Sequence, residues 1–375
     1  MDDNPANPAN PANLPSDPAA QRIAFVAGSG RSGTSLMAGI LQQLGYHVPQ
    51  PEVPADASNP KGFSEPAWVV DFHNRLLRAA RVHPSDARPS AWFETGKALN
   101  RLHPRTELND WLEQQLVLGQ DLVIKDPRLI WFLPMWQQCV DRLGARSSVV
   151  TMLRHPAEVV ASKEKTYGGL LNTTNRTAGW LNLMLYTERS TRDTPRAFIQ
   201  YADLLEDWTS TVAGLGDALE QPAIQQATAA RIRDAHRFID PDLRRSLPDW
   251  GPLGVPERLQ SLADEAWQAL LAIAVDPVDL AAQSSLDDLR RRYVDLYDEA
   301  EAVAFSSVKA AAEFGDPAKP DRARAASAPT AEQPDQTHRR QADQSPRSIL
   351  HTVQRRRARL QVPTGPRGST DDEDS

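Results

Sequence analysis

The chain has 375 residues, a formal net charge of -7 and a single cysteine, Cys139. That length supplies one large core or two small ones; the acidic balance argues against nucleic-acid binding, and one cysteine excludes an intrachain disulfide or a multi-cysteine zinc site. No window of eighteen or more apolar residues is long enough to span a membrane, and the start lacks the basic and apolar pattern of a signal peptide, so a cytoplasmic location is expected.

Residues 1–20 repeat Asn-Pro-Ala three times and are expected to form a disordered leader. Arg22–Ala27 then reads as a short buried strand. It runs into Gly28-Ser29-Gly30-Arg31-Ser32-Gly33-Thr34-Ser35, and Leu36, Met37, Ile40, Leu41 and Leu44 follow at helical spacing up to Gly45. Strand, glycine loop and helix start in that order are the parts of a phosphate cradle: loop N–H groups converge, the helix N-terminus adds partial positive charge, and glycine lets the anion approach the backbone.

Residues 46–66 carry five prolines and are expected to be an irregular binding loop ending at Gly62-Phe63-Ser64-Glu65. Helices are expected over 67–82 and 106–118. A second strand, Asp121–Lys125, runs into Asp126-Pro127-Arg128. An apolar helix holding Cys139, read as a small buried hydrophobe, leads to a third strand, Ser148–Leu153, which delivers Arg154-His155-Pro156. Pro156 opens a helix that carries Ser162. A helix over 175–191 and a fourth strand, Ala197–Tyr201, complete the alternation. The pattern implies an α/β protein with a P-loop NTPase-like three-layer fold and a mainly parallel sheet, its core at 21–220, with a helical C-terminal part or cap at 221–314. Residues 315–375 are expected to be a disordered tail. Its basic run, with Arg339, Arg340, Arg355, Arg356, Arg357 and Arg359, precedes Asp371-Asp372-Glu373-Asp374. Blocks of opposite sign in such a tail are expected to be solvated, the alternative being a weak contact of the basic segment with an anionic membrane surface.

The loop departs from the nucleotide pattern at one position: Gly28, four residues and Gly33 are followed by Thr34 where an NTPase needs lysine. Without that lysine a magnesium-nucleotide site loses its main counter-charge. The loop's cation is instead Arg31, whose fork can bracket two anionic oxygens.

Here the sequence resembles the sulfotransferase family that uses 3'-phosphoadenosine 5'-phosphosulfate as donor. Gly30, Arg31, Ser32, Gly33, Thr34 and Ser35 are similar to that family's 5'-phosphosulfate loop in the form with arginine in place of lysine. Arg154 at a strand end and Ser162 eight residues later match the arginine and serine that hold the donor's 3'-phosphate. A dianionic phosphate does suit a fixed guanidinium with a hydroxyl from the next helix. The resemblance covers residues 22–220 and implies no required metal. It also implies a catalytic role for Lys125, since Lys125-Asp126-Pro127 resembles the strand-end motif whose lysine faces the sulfate, alongside Arg31. Glu65 is the candidate base, with Glu52, Asp71 and His73 as rivals. A salt bridge from Lys125 to Asp126 or Glu65 is the structural alternative.

The chain departs from the family in lacking the glycine-rich nucleotide motif near the C-terminus of the small-molecule cytosolic enzymes. His155 is assigned no chemistry, and Tyr201-Ala202-Asp203-Leu204-Leu205 a structural role. The expected partner is a hydroxyl-bearing small molecule or glycan. Trp68, Trp92, Phe93 and Trp131 are core candidates that could also stack on a sugar. Two other functions stay open at this stage, a P-loop kinase or NTPase with a divergent loop and a non-catalytic nucleotide-binding scaffold.

Overall fold

Four short segments, apolar on both faces, pair into a parallel sheet: β1 (Arg22–Ala27), β2 (Leu122–Lys125), β3 (Arg146–Leu153) and β4 (Arg196–Gln200), in the order β2-β1-β3-β4. The structure is a computed structural model and describes residues 20–56, 59–168, 171–240 and 248–314. The expected leader, all but its residue 20, and the expected tail from residue 315 lie outside the described residues. Phe25 pairs with Ile124 on one side and Val149 on the other, and Val150 pairs with Ala197.

Thirteen helices surround the sheet among the described residues: α1 (Thr34–Leu44), α2 (Ala67–Ala80), α3 (Ala91–Leu102), α4 (Arg105–Leu116), α5 (Leu133–Arg142), α6 (Pro156–Tyr167), α7 (Thr173–Ser190), α8 (Tyr201–Glu206), α9 (Trp208–Ala218), α10 (Pro222–Gln225), α11 (Ala229–Phe238), α12 (Glu257–Val275) and α13 (Leu280–Phe314). Alternate strand residues face opposite layers. Ile23, Phe25 and Ile124 join the core built with α2, α4 and α5. Ala24, Val26, Val123 and Val150 join the one built with α1, α9 and α11. Leu153 and Phe198 pack under α6, α7, α12 and α13. The sheet is therefore the middle of three layers, and the fold class read from the sequence holds.

Local signals explain the ends. Gly45 closes α1 with a left-handed φ of 116° and donates its N–H to Leu41 and Gln42 carbonyls. Pro156 stands at the first position of α6, and the His155 side chain caps it by accepting from Ala157 N–H at 3.2 Å. His155 also packs on Trp250 and Trp267.

The strand order fixes where a site can form. From β1 the chain departs toward β2, and from β3 toward β4, so the connections at the carboxyl ends of β1 and β3 diverge. That divergence opens a crevice between them. Arg31 follows β1, Arg154 follows β3 and Tyr201 follows β4. Of the described residues, those up to Lys309 belong to one compact unit, and 310–314 fall outside it. Among the described residues no helix is long and apolar enough to cross a membrane.

Candidate functional site

The loop between β1 and α1 is tightly wound. Gly28 (φ 133°), Arg31 (φ 75°) and Gly33 (φ 89°) all lie in positive-φ space. A Cβ on Gly28 would come within 2.8 Å of the Met152 carbonyl oxygen, and one on Gly33 within 2.4 Å of the Tyr201 ring. Glycine is required at both positions by backbone and by packing. Ser32 N–H closes a turn on Ser29 O at 3.1 Å, while Ser32 Oγ is buried and without a hydrogen-bond partner among the described residues. Gly33→Ala is expected to destabilise the fold by about 1–3 kcal/mol and to push Tyr201 out of the crevice. Urea unfolding and nucleotide binding should both register the change.

Arg31, Arg154 and Ser162, widely spaced in sequence, meet at this loop. Arg31 Nε donates to Ser162 Oγ at 3.1 Å, and Arg154 Nη1 donates to the Arg31 carbonyl at 3.1 Å. The Arg154 guanidinium also binds Glu158 at 3.0 Å and lies over the Tyr201 ring, 4.8 Å from its centroid. A strand-end salt bridge and a placement at the loop are thus both present. Arg31, Thr34, Ser35 and Arg154 give the polar wall of a cavity of about 250 Å³; Leu36, Tyr201 and Phe238 give it apolar surfaces, and Asn59–Gly62 form part of its rim. Lys61 donates to the Phe238 carbonyl, tying that rim to the end of α11.

Tyr201, read from the sequence as structural, is therefore a wall of the crevice. Burial raises its phenol above the usual range while Arg154 opposes the rise. Its place directly after β4 was the available signal, because strand ends in such sheets face the site.

Lys125, at the end of β2, is 2% exposed. Its ammonium donates to Glu65 Oε1 at 2.5 Å, Ser35 Oγ at 2.9 Å and the Phe63 carbonyl at 3.2 Å. Of the two carboxylates considered for it, Glu65 is the partner. Burial pushes the Glu65 carboxyl above its ordinary range, and the Lys125 charge opposes that rise. Glu65, Lys125 and Ser162 do not line the 250 Å³ cavity; Lys125 reaches its wall through Ser35.

Asp126 turns away from Lys125. It takes a 2.8 Å bond from His73 Nδ1 and a 2.6 Å bond from Arg128; burial works against its charge, but these partners hold its carboxyl below the usual range. Trp136 Nε1–H donates to His73 Nε2 at 2.8 Å, so the ring proton sits on Nδ1. His73, with both nitrogens engaged and no exposure, is removed as a base. Glu52 accepts from Gln42 and Gln50, and the side chain of Asp71 is exposed on α2. Trp68 stacks on Phe72 and Trp111, and Trp92 on Trp131 and Tyr186, as core aromatics. Phe93 is exposed under Lys97.

Lys163 escaped the sequence reading. It follows Ser162 on α6, is buried, and donates to Ser29 Oγ of the loop at 2.9 Å. Among the described residues no group of three or more His, Cys, Asp or Glu side chains could hold a metal ion.

The fold and the loop define an α/β protein with a parallel sheet and a glycine-rich turn between β1 and α1, where Arg31 and Arg154 line the crevice and Lys125 stands behind Ser35. The chain matches no protein-family model and no curated protein. Among solved structures it is similar to the sulfotransferase domain from the Synechococcus PCC 7002 olefin synthase, at 17% identity and a TM-score of 0.33, over 74% of this chain and 96% of that chain.

Proposed function

We propose that the protein is a sulfotransferase that moves a sulfuryl group from 3'-phosphoadenosine 5'-phosphosulfate to a hydroxyl of a carbohydrate, glycolipid or other metabolite. The observation that carries this reading is the meeting of Arg154 and Ser162 with a P-loop whose cation is Arg31. One loop accommodates one anionic group, and a guanidinium and a hydroxyl from the next strand and helix provide for a second.

The donor set suits such a ligand. Ser32 Oγ has no partner within the described protein, Gly33 admits no side chain, and Leu36, Tyr201 and Phe238 offer apolar surface for a planar base. The loop amides, Ser32, Thr34 and Ser35 would hold the 5'-phosphosulfate, Arg154 and Ser162 the 3'-phosphate. The bound donor supplies an activated sulfate with a phosphate leaving group. Arg31 and Lys125 offset charge on the transferring group and on the leaving phosphate. Glu65 takes the proton from the acceptor hydroxyl. Its charged form is lost as pH falls through a pKa above the ordinary carboxylate range, so turnover should drop on the acid side earlier than an exposed glutamate would allow.

Arg154→Ala tests the reading. Loss of a charge-assisted contact of about 1.5–3 kcal/mol predicts at least a tenfold weaker affinity for 3'-phosphoadenosine 5'-phosphate by calorimetry, with little change for adenosine 5'-phosphate. Unchanged affinity for the bisphosphate would remove the second anion site and the function with it.

A further inference from the structure

Lys163 is 4% exposed, yet among the described residues its ammonium donates only to neutral hydroxyls. It donates to Ser29 Oγ in the P-loop at 2.9 Å and lies 3.4 Å from Ser85 Oγ on the connection between α2 and α3. Among the described residues no carboxylate stands within ion-pair distance of it. The charged groups on the surrounding elements are committed elsewhere or repel it. On α7, Arg176 repels Lys163 and pairs with Glu164 of α6 at 3.1 Å. On the connection, Asp86 is held by Arg88 at 2.7 Å, and His83 lies beside it. The loop's only charged residue is Arg31. An ammonium withdrawn from water without a counter-ion disfavours folding, and such a group against an anion loop calls for a charge that arrives from outside.

We infer that the counter-ion of Lys163 is the anionic group of the bound ligand, and that Lys163 is a positioning residue that strengthens anion binding through Ser29 and takes up a proton when the site fills. This rests on the donor site proposed above, since it takes the group held by the P-loop to be the partner. With Lys163 donating to its oxygen, the Ser29 hydroxyl is fixed, and in the low dielectric of the interior the ammonium's field reaches the loop with little screening.

The sign of the pH dependence follows. Burial, with Arg176 adding to it, pulls the Lys163 ammonium down to about 8 in the absence of ligand. A nearby anion favours the charged form and raises that value. Binding above pH 8 then draws a proton from solution, and affinity falls as pH rises. His83 does not titrate in this window, because burial lowers its imidazole further below its ordinary value. The ligand's phosphates, with second ionisations near pH ~6, are already dianionic.

The test is calorimetry of the full chain with 3'-phosphoadenosine 5'-phosphate at pH 8.5 in buffers of different ionisation heat, and an affinity series across neutral to alkaline pH. Wild-type protein should take up more than about half a proton per ligand and lose roughly tenfold in affinity over about two pH units above neutrality. Lys163→Met should bind at least about tenfold more weakly at neutral pH, with neither proton uptake nor pH slope in that range. Nucleotide binding by wild-type protein without proton uptake, or an unchanged slope in Lys163→Met, overturns the inference and leaves the donor site standing. Absence of nucleotide binding by wild-type protein at every pH overturns the donor site, and this inference with it. The wild-type measurement decides even if the variant does not fold.

Discussion

Lys125→Met is expected to lower release of 3'-phosphoadenosine 5'-phosphate from the donor by about two to three orders of magnitude, the usual consequence of removing a fixed cation or donor from a site where charge develops. The variant acts in two ways. It takes away the ammonium fixed beside Ser35, and it leaves Glu65 buried without the charge that opposes its protonation. The Glu65 carboxyl, already raised by burial, then rises further and is neutral over more of the pH range. The acid limb of the turnover profile should therefore move to higher pH, which a purely structural loss would not produce.

Breaking a buried pair costs about 3–5 kcal/mol when the remaining charge stays ionised, and less when it can protonate. A double variant, Lys125→Met with Glu65→Gln, should recover much of the stability lost by Lys125→Met alone and none of the activity. Recovery of turnover in the double variant would show that neither group takes part in the chemistry.

Glu188→Ala is expected to destabilise the fold by about 3–5 kcal/mol, measured as a lower urea midpoint with unchanged slope. Glu188 is fully buried at the end of α7, where it binds Arg192 at 2.7 Å and Arg196 at 3.1 Å. Arg196, on β4, also donates to the Pro277 carbonyl at 2.6 Å, and Arg192 reaches Asp287 of α13 at 2.8 Å. This cluster joins the edge strand to α13 and to the turn that precedes it. Without the Glu188 carboxylate the buried Arg196 guanidinium keeps as hydrogen-bond acceptors, among the described residues, only carbonyls and the Thr191 hydroxyl. Glu188→Gln keeps the acceptor oxygen and should lose roughly half as much, since a neutral acceptor is about half as strong as a charged one. Because Tyr201 directly follows β4, the Ala variant should also weaken nucleotide binding.

Legibility in the sequence followed the range of the physics involved. Apolar runs, the Gly28 and Gly33 spacing, the stop at Gly45 and the start at Pro156 are local, and each appears where the sequence put it. Helix α3 was missed because Gly96, Glu94, Lys97 and Asn100 blur its apolar stripe, which buries only Ala91, Thr95 and Ala98. The strand order is a matter of pairing between distant segments and left no local trace.

At the site, the glycine loop points to Arg31 and the family resemblance to Arg154 and Ser162, and the structure brings the three together; their roles belong to the proposal. The sequence leaves Asp126 and Glu65 as equal partners for Lys125, because the choice depends on how the loop after α1 returns to the end of β2. Lys163 was invisible for a different reason. A lysine in Ala-Ser-Lys-Glu-Lys looks like a solvated helix face, and only the packing of α6 against the loop buries it.

The claim that the crevice holds two anionic groups of one nucleotide is tested most directly by calorimetry in the presence of a chelator, comparing 3'-phosphoadenosine 5'-phosphate with adenosine 5'-phosphate and ATP. The predicted result is metal-independent binding in which the 3'-phosphate contributes at least about tenfold in affinity. Equal affinity for the first two nucleotides, or tight binding of ATP that appears only with magnesium, would contradict it.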